Sequence, residues 1–159
     1  MTTLLIRGAD HLLTMDDDRR ELAGADVLVR DGAIVAVGHG IIGDSQVIDR
    51  VIDASGCVVT PGLVNTHHHL YQTLTRAVPG GQDALLFGWL KTLYPIWARF
   101  TPDHMFTSAQ IGLAELALSG CTLSSDHLYL YPNGSRLEDT IHAAAEIGLR
   151  FQPTRGAMS

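Results

Sequence analysis

The run Asn65-Thr66-His67-His68-His69-Leu70 concentrates side chains able to bind a metal or carry a proton. It follows Leu63 and Val64, which read as a short buried strand. On an extended strand successive side chains point to opposite faces, so His67 and His69 share one face and His68 takes the other. Two imidazoles at i and i+2 can converge on one ion where a strand ends. They would supply half of a four-coordinate zinc site, with Zn–N bonds of about 2.0–2.1 Å. The carboxyl ends of strands are also where open α/β and barrel folds build their sites. The same triplet fits a solvated loop cluster, and H-x-H spacing alone does not separate the two. An affinity tag fits poorly, because the triplet is internal and follows a strand and Pro61-Gly62.

The elements that must position these histidines can be read around them. Residues 1–60 predict a small all-β unit of short strands and glycine turns. Within it, Asp31-Gly32 separates the runs 25–30 and 33–38, a strong hairpin signal. Val47-Ile48 and Val51-Ile52-Asp53 read as a further extended run. After Pro61-Gly62 strands alternate with helices. Residues 84–97 are apolar at helical spacing, with Leu86, Trp89, Leu90 and Leu93 on one face. Thr101 caps a second helix that has Pro102 at its first position and Asp103 in its first turn. That helix is predicted to carry Ile111, Ala114 and Leu118 inward and to stop at Gly120. A strand over 121–131 follows. Ser135 and Glu138 then form a capping box for a helix that ends at Gly148, and residues 149–152 open a third strand. Strand–helix alternation predicts an α/β fold with parallel pairing and right-handed crossovers.

Composition narrows the function classes. Lys and Arg total 11 against 17 Asp and Glu, a formal net charge of −6. Phosphate neutralisation on nucleic acid needs the opposite balance, and the lone lysine, Lys91, excludes a polybasic arm. Cys57 and Cys121 stand far apart, so neither a disulfide framework nor a thiolate zinc module is indicated. The first residues lack a basic segment, and Arg7, Asp10 and His11 interrupt their apolar stretch, unlike a signal peptide. No apolar run reaches the length of a membrane span. A cytoplasmic protein that binds neither nucleic acid nor membrane is the expectation. His11, His39, His104 and His142 read as surface or satisfied residues, and Asp16-Asp17-Asp18 as a solvated turn.

The longer stretch Asp53-Ala54-Ser55-Gly56-Cys57-Val58-Val59-Thr60-Pro61-Gly62-Leu63-Val64-Asn65-Thr66-His67-His68-His69 resembles the entry into the barrel of the amidohydrolase superfamily. There a D-x-x-G-x-x-V-x-P-G-[LF]-[IV]-[DN]-x-H-x-H run ends the first barrel strand, after a β-sandwich formed by the termini. The resemblance implies that His67 and His69 are metal ligands. His69-Leu70-Tyr71-Gln72 is similar to the guanine-deaminase-like branch, in which this glutamine contacts the purine ring. Residues 86–97, with Trp89 and Trp97, resemble the stretch that covers the pocket in that branch. Residues 120–134, Gln82-Asp83 and Arg155-Gly156-Ala157-Met158-Ser159 resemble 8-oxoguanine deaminases and hydroxyatrazine aminohydrolases.

Each carried-over residue keeps a plainer reading beside the functional one. Gln72 either contacts a substrate, as pockets with a few placed polar groups require, or satisfies backbone at a loop start. Trp89 and Trp97 line a pocket or pack a helix. His127, at a strand's carboxyl end after Asp126, faces the site or makes a structural hydrogen bond. Cys121 opens a buried strand and is read as inert.

The resemblance implies an N-terminal part of a metal-dependent (β/α)8 barrel hydrolase preceded by a small β-sandwich, with boundaries at 1–60 and 61–159. It implies hydrolytic deamination of a nucleobase-like small molecule, first of all 8-oxoguanine to urate and ammonia, by one Zn²⁺ or Fe²⁺ per site. Guanine, hydroxyatrazine or a pterin-like ring is the alternative substrate, and a non-catalytic truncated module the alternative of another class. A homo-oligomer is expected of the whole enzyme. A (β/α)8 barrel needs roughly 250 residues, and catalytic zinc takes three protein ligands. The expectation is therefore that residues 1–159 alone hold half a metal site, lack the acid–base pair and are inactive.

Overall fold

In the first sixty residues, alternating apolar side chains build strands, and turn residues set their lengths. A computed structural model describes residues 2–43 and 47–157; Met158 and Ser159, the end of the motif that begins at Arg155, lie outside them. The chain divides into two compact units, Met1–Pro61 and Gly62–Ser159. The first contains β1 (Thr3–Ala9), β2 (His11–Leu13), β3 (Glu21–Leu22), β4 (Ala25–Arg30), β5 (Ala33–Gly38), β6 (Arg50–Asp53) and β7 (Val58–Val59). They form a four-stranded sheet ordered β5-β4-β1-β6 and a three-stranded sheet ordered β3-β2-β7.

The predicted hairpin is β4–β5, with Arg30 opposite Ala33. Asp31 (φ 48°) and Gly32 (φ 81°) both adopt left-handed backbone, the geometry of a two-residue turn that matches strand twist. Ala9, Leu12, Ala25, Val27 and Ala54 make the core of this unit. Val47 and Ile48 are not in a strand; the extended run begins at Arg50.

The second unit holds β8 (Leu63–Asn65), α1 (Leu86–Trp97), α2 (Pro102–Leu118), β9 (Cys121–Leu128), α3 (Leu137–Ile147) and β10 (Arg150–Arg155). Short 3₁₀ segments cover Leu70–Thr75, Pro79–Gly81 and Pro132–Gly134. The three strands pair in parallel in the order β10-β9-β8, as the strand–helix alternation predicts. One core cluster joins Tyr71, Leu93, Trp97, Phe100, Met105 and Leu128. Another joins Leu70 to Ala109 and Leu113 of α2 and to Ala143 and Ala144 of α3.

Several local expectations are corrected. Leu63 and Val64 are 60% and 57% exposed, because β8 is an edge strand with no layer over these side chains among the described residues. Leu86 is exposed, and the buried residues of α1 are Leu93 and Trp97. In α2, Ile111 and Leu118 are exposed while Met105, Ser108, Ala109, Gly112 and Leu113 are buried. The small residues Ala109 and Gly112 allow close approach, so the helix turns that side to the 3₁₀ segment and α3.

Strand β9 ends at Leu128 rather than Tyr131. Its ladder closes where the Gly156 N–H donates to the Leu128 carbonyl at 2.7 Å. At α3 the cap lies one residue later than predicted: the Asp139 carboxylate accepts the Arg136 N–H at 2.7 Å, and Ser135 donates to the Pro132 carbonyl at 2.5 Å. Thr101 caps α2 as expected, with His104 completing the box.

Candidate functional site

Parallel pairing brings the carboxyl ends of β8 and β9 side by side, with Asn65 opposite Ser124. Past the end of β8 the chain stays in register long enough for the His127 N–H to donate to the His68 carbonyl at 2.9 Å. The triplet lies beyond the end of β8, which closes at Asn65. His67 and His69 lie together, ring centroids 5.1 Å apart in an edge-on arrangement. His68 is half-buried, and a Cβ on Gly112 of α2 would lie 3.8 Å from its Cε1. Asn65 braces the strand end through its amide, which donates to Ser124 Oγ at 3.1 Å.

The His69 ring is held from behind. Its Nδ1 lies 2.9 Å from the His127 carbonyl. A carbonyl only accepts, so Nδ1 carries the proton and donates, leaving the lone pair on Nε2. That is the tautomer a metal-ligating histidine takes when a backbone carbonyl orients it. Two imidazoles sharing one tetrahedral ion would put their centroids about 5 Å apart at ordinary Zn–N lengths, which the observed spacing matches. His67 and His69 therefore fit as two nitrogen donors to a divalent metal. No group of three or more His, Cys, Asp or Glu able to hold a metal occurs among the described residues.

His127 contributes through its backbone and also stands near the pair, its ring centroid 5.7 Å from that of His69. Gly156 packs against it so closely that a Cβ there would fall 2.5 Å from His127 Nε2 and 2.8 Å from Tyr129 Cβ.

Asp126 lies next to His127 in β9. It is fully buried, on the side of β9 shared by Ser124 and Leu128. Its Oδ1 accepts the Leu70 N–H at 2.8 Å, while Oδ2 has no partner. Burial pushes its carboxyl up to about 6. The available signal was a carboxylate inside an otherwise uncharged strand, directly before His127. Burial also lowers the pKa of His68, with its neighbour His69 the next cause.

Gln72, the expected ring contact, sits in the 3₁₀ segment that follows the histidines. Its Nε2 donates to the hydroxyls of Tyr71 at 3.1 Å and Tyr129 at 3.2 Å. Gln72, Thr73 and Arg76 line an open groove with the three histidines. Arg76 is itself held by a bidentate pair with Glu115, at 2.7 and 2.8 Å.

Trp97, the expected pocket wall, is fully buried. Its indole N–H donates to Thr75 Oγ1 at 3.0 Å, and its ring meets Tyr71, Trp89 and Tyr94 edge-on at 5.2–5.4 Å. In this structure it supports Tyr71 from beneath. Cys121 is buried and Cys57 exposed, both free. No described helix is long and apolar enough to cross a membrane.

Comparison with known proteins follows the same residues. Residues 58–159 match the family model described as the amidohydrolase family. An 8-oxoguanine deaminase of Pseudomonas aeruginosa is 49% identical over 141 residues, covering 86% of this chain and 31% of that protein. A hydroxydechloroatrazine ethylaminohydrolase of a Pseudomonas species is 36% identical over 172 residues, covering 100% and 36%. Among solved structures, an atrazine chlorohydrolase of Arthrobacter aurescens complexed with zinc superposes with a TM-score of 0.89 at 35% identity, covering 96% of this chain and 35% of that one. The chain thus spans about a third of the length of the relatives it matches.

Proposed function

The chain belongs to the amidohydrolase family, and from that premise we propose that it forms the N-terminal part of a zinc-dependent hydrolase that deaminates an aminated purine-like ring. In this reading residues 1–60 belong to a β-sandwich, and β8, β9 and β10 are the first three strands of a (β/α)8 barrel. The substrate proposed is 8-oxoguanine, converted to urate and ammonia. One observation carries the reading: His69 Nδ1 is committed to the His127 carbonyl, so its Nε2 is presented beside His67 at the end of a strand. The 49% identity to an 8-oxoguanine deaminase supports the choice of ring.

His67 and His69 would hold the ion. A bound zinc supplies Lewis acidity and lowers the pKa of water to about 7, so that a nucleophile exists at neutral pH. The chain's own residues do the positioning. The His127 carbonyl sets the tautomer and direction of His69, and Gln72 orients the ring in the groove. In the net reaction the oxygen of water bonds to the ring carbon, the bond to the exocyclic nitrogen breaks, and protons pass to it so that ammonia leaves. The remaining ligands and the groups that move those protons are assigned to the rest of the enzyme, because this chain spans about a third of the length of its relatives.

The test uses the intact zinc-loaded enzyme. Rates of ammonia release from 8-oxoguanine, guanine and hydroxyatrazine are compared, with metal content measured alongside. 8-Oxoguanine is expected to give the highest kcat/KM. Preference for hydroxyatrazine would install the second reading, which the 36% identity to a hydroxydechloroatrazine ethylaminohydrolase across the whole chain favours. Turnover of none of the three would sink both. A cytoplasmic homo-oligomer is proposed as its working form, to be checked by light scattering.

A further inference from the structure

Gln72 is held by more contacts than a residue merely satisfying a loop would need. Its amide carries two N–H donors, and both are used within the protein, at Tyr71 and Tyr129. Neither acceptor is adaptable. Tyr71 is fully buried and fixed edge-on against Trp97 and Tyr129. Tyr129 is wedged by Gly156, which leaves no room behind its Cβ. With both hydrogens engaged, the atom of Gln72 left to face the groove is Oε1, which only accepts.

Tyr129 also touches the other half of the site. Its ring meets His69 edge-on at 5.2 Å and His127 at 5.8 Å. One side chain thus ties the amide that would read the ring to the imidazole that would hold the metal.

We propose that Tyr71 and Tyr129 clamp the Gln72 amide with Oε1 toward the groove, so that the site selects rings presenting an N–H donor at that edge. The proposal rests on the ring-deaminase reading above and goes beyond it by assigning the polarity of the recognised edge. Tyr129 acts here as a positioning residue: it reaches Gln72 and His69, and the ring only through them. The amide orientation follows from partner count. Nε2 carries two hydrogens and lies within hydrogen-bond distance of both hydroxyl oxygens, whereas Oε1 is an acceptor only and is the atom left over. Burial holds the Tyr71 hydroxyl far above its ordinary range, so it stays protonated.

The test compares the intact zinc enzyme with Tyr129→Phe, using 8-oxoguanine and its N7-methyl and N9-methyl derivatives as probes. Loss of one neutral hydrogen bond corresponds to about tenfold in affinity. The variant is expected to raise KM for 8-oxoguanine about tenfold, with kcat and zinc content little changed. It is also expected to narrow the affinity gap between 8-oxoguanine and whichever methyl derivative lacks the recognised N–H.

A second readout needs no turnover. The side-chain NH₂ signals of Gln72, identified by their disappearance in Gln72→Glu, are expected to be protected from solvent exchange and to lose that protection in Tyr129→Phe. Unchanged KM and an unchanged methyl gap would overturn the proposal, as would exchange protection that survives Tyr129→Phe. Loss of zinc together with kcat would also overturn it, by making Tyr129 a support of the metal pair alone. If none of the purine probes binds, the purine reading fails, and the NH₂ signals then decide the clamp by themselves.

Discussion

His69 makes one commitment that decides what else it can do. A proton held on Nδ1 by the His127 carbonyl leaves Nε2 basic, and His67 stands beside it at a spacing suited to a shared ion. In the intact enzyme, His69→Ala and His67→Ala are each expected to lower bound zinc at least tenfold, since one of few ligands is lost; metal analysis after gel filtration checks this. Asp126 offers a second prediction. Its folded pKa is raised to about 6 by burial, above the ordinary carboxylate value, so the neutral form is the one folding favours. The stability this contributes is fully present below the ordinary carboxylate range and lost as pH rises through about 6. Asp126→Asn keeps an acceptor for the Leu70 N–H and removes the charge. The denaturation midpoint of metal-free Asp126→Asn, relative to the parent protein, is therefore expected to climb between about pH 4 and pH 7. A difference that stays flat across that range would refute it.

Two elements, β9 and α2, place the site's inner wall. Alternation along β9 sends Ser124, Asp126 and Leu128 to the buried side and leaves His127 exposed. Helix α2 presses against the segment after the histidines: Ser108 Oγ donates to the Leu70 carbonyl at 2.7 Å. Gly112 approaches so closely that a Cβ would stand 2.8 Å from Leu70 Cδ2 and 2.9 Å from Thr73 Oγ1. Overpacking at such a contact costs roughly 1–3 kcal/mol. Gly112→Ala is expected to destabilise by that order, and because Leu70 follows His69 directly, to weaken zinc binding as well. Urea denaturation and metal titration of the same variant check both. An unaltered midpoint would show that Leu70 can move aside at no cost.

The chain as a whole presents three parallel strands and a separate all-β unit, about a third of the length of its relatives. The two imidazoles brought together among the described residues are fewer than the three protein ligands a catalytic zinc takes. A polypeptide of residues 1–159 is therefore expected to release no ammonia from 8-oxoguanine above a zinc-only control. Zinc-dependent turnover by that polypeptide would contradict the assignment of the remaining ligands to other residues. In the intact enzyme, a strong chelator is expected to abolish activity and added zinc to restore it.

Several features are determined by the order of residues alone. The Asp31-Gly32 turn, the helix that begins at Thr101-Pro102 and the parallel strand–helix alternation all follow from local rules of dihedral angle and side-chain period. Identity with family motifs also lies in the linear order, and His67, His69 and Gln72 could be singled out from it. What only the tertiary structure decided depends on partners far apart in sequence. The buried side of α2 is not legible locally, because Ile111 and Leu118 are as apolar as the residues that do pack, and the small side chains facing Leu70 and α3 set the rotation. Trp97 proved fully buried because Thr75 and three aromatic rings surround it. Asp126 takes its place through Leu70, and Tyr129 through Gly156, each a partner distant in sequence. The tautomer of His69 and the polarity of Gln72 depend on hydrogen bonds across 58 and 57 residues, and no local pattern records which distant acceptor a side chain will meet.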